Sequence, residues 1–92
     1  MALTFSTRPA EYSLLARSVL LYAVSGGEGI AFGFEKTALN QLEPRPHRLT
    51  PGQQERLAER HRPRLEAAAA SAFAEGRGRG SGYCIWIGPK DI

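Results

Sequence analysis

Apolar and polar residues alternate along this chain in a way that predicts short strands first, then helices, then a last strand. Residues 2–6 read as a short strand, and after the turn-forming Ser6-Thr7-Arg8-Pro9 a stronger strand occupies Ser18 to Val24. Within it Val19, Leu21 and Ala23 alternate with Leu20, Tyr22 and Val24, so both faces are apolar and the strand is expected at the centre of a sheet. Ser25-Gly26-Gly27-Glu28-Gly29 supplies a hairpin loop, because glycine adopts positive φ without steric cost. The next strand, Ile30 to Phe34, puts Ile30, Phe32 and Phe34 on one face and the small Ala31 and Gly33 on the other. A helix is therefore expected against the aromatic side.

Lys36 to Leu42 forms one or two helical turns, with Thr37 as the expected cap, before Pro44 and Pro46 stop them and 43–49 becomes a loop. Thr50-Pro51-Gly52-Gln53 has the form of a helix start: a capping threonine, proline at the first helical position, and glutamine where a capping box places its reciprocal side chain. From there a long helix is predicted to run to Glu75. Leu57, His61, Leu65, Ala68, Ala69, Ala72 and Phe73 make its inner stripe, and Gly76 its stop. Pro63 interrupts it, since it lacks a backbone donor and its ring crowds the carbonyl of Glu59, so a kink or break is expected there. Gly76-Arg77-Gly78-Arg79-Gly80-Ser81-Gly82 reads as a flexible connection, and Tyr83 to Ile87 as the closing strand. The predicted architecture is one small α+β domain over residues 1–92, an antiparallel sheet of about four strands with one long C-terminal helix packed on a face.

Composition narrows the class. With 92 residues, 42% hydrophobic and 23% charged, the chain has an ordinary globular makeup. A domain of this length has a thin core, which makes self-association an expectation. The single cysteine, Cys84, excludes an internal disulfide and a four-cysteine zinc site, and fits a reducing, cytoplasmic setting. No stretch approaches the roughly 20 apolar residues of a membrane span, and the start carries Arg8 and Glu11, so neither secretion nor membrane insertion is expected. Twelve Lys plus Arg against nine Asp plus Glu give a net charge of +3.

Residue types suited to chemistry are few. His47 falls in the loop between Pro46 and Arg48, where an exposed and idle histidine is the preferred reading. His61 falls on the inner stripe of the helix, where a hydrogen-bonded, half-buried histidine is preferred over a metal ligand. Cys84, inside an apolar strand, reads as a small hydrophobe. The glycine run follows a helix and enters a strand, the wrong context for a phosphate-cradling loop. Its Arg77 and Arg79 look like a short Arg-Gly segment that tracks nucleic-acid backbones, with Tyr83 and Trp86 as stacking groups, although a solvated linker is the plainer reading. Arg56, Arg60 and Arg64 recur every fourth residue and form the best basic stripe. Glu55, Glu59 and Glu66 are interleaved with it, and Arg62 to Glu66 has the spacing of an intrahelical ion pair.

The order of elements and the stretch His61-Arg62-Pro63-Arg64-Leu65-Glu66, followed by Ala69, Ala70, Phe73 and Gly76, give the chain a family likeness. The opening Leu3-x-Phe5, the strand at Ser18 to Val24, Ile30-x-Phe32-x-Phe34 before Ala38-Leu39, and Ile85-x-Ile87 with Asp91 extend it over nearly the whole length. In these positions the chain resembles the bacterial domain-of-unknown-function 1488 family. The resemblance implies a small bacterial cytoplasmic protein, brings no catalytic residue, and marks His61, Arg62, Phe73 and Gly76 as structural positions. The expected function is a small accessory or regulatory protein-interaction module, not an enzyme, without cofactor or metal. Its expected partners are a second copy, through a sheet edge or helix face, or another protein. The alternative is a weak nucleic-acid-binding protein with Arg56, Arg60, Arg64, Arg77 and Arg79 on phosphates.

Overall fold

A computed structural model of the chain describes residues 3–43, 49–76 and 84–92. The elements in chain order are β1 (Thr4–Phe5), β2 (Glu11–Ser13), β3 (Ser18–Ser25), β4 (Glu28–Phe34), α1 (Lys36–Leu42), α2 (Pro51–Arg60), α3 (Arg62–Ala74) and β5 (Cys84–Ile87), followed by a 3-10 turn at Pro89–Asp91. This is an α+β fold. His47, Arg48, Arg77, Arg79 and Tyr83 lie outside the described residues.

β3 is central, as its two apolar faces require. Both β1 and β2 pair with it antiparallel on one side, and β4 pairs antiparallel on the other through Val19↔Phe34, Leu21↔Phe32 and Ala23↔Ile30. The short, polar β2 was not expected, because three residues are too few for an alternation to register. The sheet is mixed rather than purely antiparallel: β5 runs parallel to β4 with Phe32 opposite Ile85 and Phe34 opposite Ile87. Periodicity is blind to strand direction, whereas the connection is not. Parallel neighbours need a crossover of a dozen or more residues, and the link from Phe34 to Cys84 carries three helices.

Those helices cover one face. Phe32, Phe34, Val19, Leu21, Ile85 and Ile87 meet Leu39, Leu57, Ala58, Leu65, Ala69 and Ala72 in one core. The inner stripe holds, with Leu57, Leu65, Ala68, Ala69 and Ala72 buried and His61 and Phe73 half-buried. The single long helix does not hold. α2 ends at Arg60, His61 takes φ −108° and ψ 21°, and α3 starts at Arg62 with Pro63 in its first turn. The bonds His61 N–H to Leu57 O at 3.1 Å and Leu65 N–H to His61 O at 3.1 Å keep regular helix on each side of the break. Thr50 and Gln53 form the expected capping box, each side chain accepting the other residue's backbone N–H. Thr37 does not cap α1; Glu35 stands at that N-cap, without a side-chain bond. Gly76, at φ +80°, ends α3 as expected.

Candidate functional site

The strongest polar construction joins the helices to the sheet edge. β1 and β2 form an interrupted edge whose outward backbone groups have no strand partner. Glu55 Oε2 accepts the N–H of Tyr12 at 2.7 Å, and Glu59 Oε2 accepts the N–H of Ala10 at 3.2 Å. One turn on, Arg62 donates to the carbonyls of Arg8 at 2.8 Å and Ser6 at 2.5 Å. Its guanidinium also donates to Glu66 at 2.7 Å and Glu59 at 2.9 Å. The hydrogen bond that Arg62 donates to Glu66 is the main cause that raises the Arg62 pKa. The ion pair of Arg62 with Glu66 matches its sequence spacing; the reach to the backbone between β1 and β2 was not legible in it.

His61 is the joint between α2 and α3. Its Nε2 lies 2.6 Å from Glu43 Oε2, just past the end of α1, and Arg60 Nη1 lies 2.8 Å from both Glu43 oxygens. An ionised carboxylate only accepts, so Nε2 carries the hydrogen of this bond. The His61 bond, with Arg60 adding to it, lowers the Glu43 pKa. The sequence expectation of a hydrogen-bonded, half-buried histidine is met.

The predicted basic stripe is only partly free. Arg56, Arg60 and Arg64 are all exposed, but Arg60 is held by Glu43. Among the described residues no carboxylate pairs with Arg56 or Arg64. Among the described residues, too, no group of three or more His, Cys, Asp or Glu is placed to hold a metal ion, and no helix is long and apolar enough to cross a membrane.

The sheet face away from the helices brings together side chains that the sequence shows only one strand at a time. The register sets Tyr22, Ala31 and Cys84 in one row, Glu11, Leu20, Gly33 and Trp86 in the next, and Val24 beside Gly29 at the far end. Trp86 is 43% exposed and Val24 47%. The Trp86 ring lies so close over Gly33 that a Cβ there would sit 2.5 Å from its Cζ3. Tyr22 donates its hydroxyl to Glu11 Oε1 at 3.3 Å and stacks under the Arg8 guanidinium, 5.5 Å from the ring centroid. Burial, then the Glu11 charge, raises the Tyr22 pKa. Burial also pushes the Cys84 thiol up, which disfavours the reactive thiolate.

Two features stand at opposite ends of this sheet. A largely apolar depression of about 430 Å³ lies among Ser6, Arg8, Tyr22, Val24, Gly29 and Ala31. At the other end, the turn joining β2 to β3 holds out Leu14 and Leu15, 82% and 89% exposed. The signal for the turn was present in the sequence as two adjacent leucines between Ser13 and Ala16, outside any alternating run. No family model matches the chain, and neither the curated proteins nor the solved structures contain a match to it.

Proposed function

We propose that the chain is an interaction module that binds protein through the sheet face opposite its helices. One observation carries this reading: Trp86 and Val24 stay about half exposed on a face that also carries Leu20, Tyr22, Ala31, Gly33 and Cys84, with Glu11 and Arg8 as its charged members. Large apolar side chains grouped on one face of a small domain are stabilised by a partner that removes them from water, at about 25 cal/mol per Å². The face carries few charges, as the centre of a protein interface does. A reducing, cytoplasmic setting and absence of catalysis belong to this proposal, as does membership of the domain-of-unknown-function 1488 family, which rests on the His61-Arg62 stretch and its flanking apolar spacing.

The nucleic-acid alternative is carried by fewer groups than the sequence offered. Arg60 is neutralised by Glu43, which leaves Arg56 and Arg64 of the helical stripe. A photoreactive amino acid placed at Val24, and separately at Arg64, decides between the two surfaces in living cells. Discrete protein adducts from position 24 and not from 64 are expected. Adducts from position 64 alone, equal adducts from both, or nucleic-acid adducts from either position overturn the reading.

A further inference from the structure

We infer that the outer edge of β1 is a separate docking site, which takes an extended segment of a partner protein as an added strand, with a lysine or arginine side chain set between Glu59 and Glu66. It is distinct from the open sheet face, and either site can fail without the other.

The backbone supplies the first observation. Ser6 donates its N–H to Tyr22 O at 2.8 Å, while Thr4 stands opposite Val24 and Phe5 opposite Ala23. Facing residues of an antiparallel pair alternately exchange two hydrogen bonds and none. Since Ser6 bonds to Tyr22, Thr4 bonds to Val24, and the N–H and C=O of Phe5 point away from β3. Among the described residues neither of these Phe5 groups has a hydrogen-bond partner. The outward N–H groups of Tyr12 in β2 and of Ala10 just before it are held by Glu55 and Glu59. The helix carboxylates thus close the edge at β2 and leave it open at β1, where an extended peptide can add as the next strand.

A cavity beside this edge is the second, independent observation. It encloses about 610 Å³ between the segment from Leu3 to Thr7 on one side and Glu59, Arg62 and Glu66 on the other. Its charges are unequal, two carboxylates against one guanidinium. Arg62 donates to Oε2 of Glu59 and Oε2 of Glu66, which leaves Oε1 of each without a hydrogen bond among the described residues. Arg8, the other cation of this region, stands over the Tyr22 ring on the open face, 3.8 Å from Glu11.

These features define the occupant. An added strand sets the residue opposite Phe5 on the same face as the Phe5 ring, whose centroid lies 5.8 Å from that of Phe32 on the helix side of the sheet. A basic side chain there faces the two carboxylates, and an acidic one would meet like charge. The next residues on that face of the partner run alongside the half-buried Leu3 and are apolar.

The probe is an acetylated and amidated heptapeptide, Thr-Val-Thr-Lys-Thr-Val-Thr, titrated into the isotope-labelled chain and followed by the amide NMR signals. With so short a strand, saturation is expected at a dissociation constant on the order of 0.1–1 mM, with the largest shift at the Phe5 amide. The same peptide with glutamine in place of lysine should bind about threefold to tenfold more weakly. In the Glu66→Gln chain, checked for folding by circular dichroism, that preference should shrink below about twofold. A strand bonds to its neighbour through alternate residues, so N-methylation of the peptide at Lys and at the Thr that follows should have unlike effects. One methyl group abolishes binding and the other spares it.

No saturation up to about 5 mM peptide overturns the inference. Equal effects of the two methyl groups, equal affinity for the lysine and glutamine peptides, or a preference unchanged by Glu66→Gln overturn it as well. Shifts centred on Tyr22, Val24 and Trp86 instead of Phe5 place the peptide on the open face and refute the edge site. A Phe5 amide that shifts with the concentration of the chain alone assigns the edge to a second copy and refutes the partner inferred here. Should Glu66→Gln fail to fold, the glutamine peptide and the two methylated peptides decide on the unaltered chain.

Discussion

Glu55 in α2 accepts the backbone N–H of Tyr12 at 2.7 Å, so a helix carboxylate stands where the next strand of the sheet would be. The spacing explains why this works. Residues four apart on a helix rise about 6.0 Å, and alternate residues of a strand are separated by about 6.6 Å, so Glu55 and Glu59 meet the outward N–H groups of Tyr12 and Ala10 almost in step. An exposed strand edge is a template for uncontrolled pairing, and these carboxylates remove it.

Glu55→Ala should then cost about 1–2 kcal/mol, the range for a charge-assisted hydrogen bond to a backbone group left partly exposed. Urea unfolding measures it. Native-state hydrogen exchange adds a local readout: the amide of Tyr12 should exchange faster in the variant while amides in the middle of β3 change only with global stability. Equal acceleration everywhere would mean that the bond is not local protection of the edge.

Arg62 carries more of the same junction, with its side chain 16% exposed and bonds to Glu59, Glu66 and two carbonyls of the segment between β1 and β2. Arg62→Ala strands those partners and should cost about 2–4 kcal/mol. Arg62→Lys keeps the charge but loses the planar fork that reaches both carbonyls and carboxylates together, so it should recover less than half of that loss. Full rescue by lysine would show that charge alone holds the edge. Both variants are read by the shift in the urea midpoint at constant slope.

Much of this fold was legible from side-chain rhythm. The double apolar character of Val19 to Val24 marks a central strand, Thr50-Pro51-Gly52-Gln53 marks a capped helix start, and Pro63 marks a break. What the rhythm does not encode is where backbone groups go. β2 is held by Glu55 at Tyr12 as well as by its pairing with β3, with Glu59 holding Ala10 just before it, and nothing in Glu11-Tyr12-Ser13 announces that. The parallel pairing of β5 was hidden for a related reason, since the residues of Cys84–Ile87 alternate identically in either direction. The open sheet face was not assembled from the sequence because its apolar members come from three strands, one or two at a time, and only the register brings them together. The arginine stripe, by contrast, was visible, but its partners were not: those distant in sequence, such as Glu43 for Arg60, are invisible to a helical wheel.

Gly33 provides a direct probe of that face. A methyl group there would stand 2.5 Å from Cζ3 and 2.7 Å from Cε3 of Trp86, closer than any real contact. The indole is 43% exposed, so Gly33→Ala should displace the ring toward solvent rather than move the backbone, at about 1–2 kcal/mol. Trp86 is the sole tryptophan in the chain, which makes its emission an unambiguous reporter. A red shift on substitution is expected. Unchanged emission would mean that the ring does not rest on Gly33.

The Glu43 carboxylate ties the end of α1 to the break between α2 and α3, and its pKa is lowered in the fold, first by the bond to His61 and then by Arg60. A group depressed in the native state stabilises the fold while it is ionised in both states. Its contribution is therefore complete above the unfolded value, about 4.3, and disappears as pH falls through the lower folded value. Glu43→Gln keeps the shape of the side chain and removes the charge, so the stability gap between the wild type and this variant should be widest near neutral pH and close as pH drops below about 4. Thermal melts of both proteins between about pH 3 and pH 7 follow the gap directly. A gap that stays constant across that range would assign the effect of Glu43 to packing, and would remove the carboxylate from the electrostatic joint that His61 and Arg60 build around it.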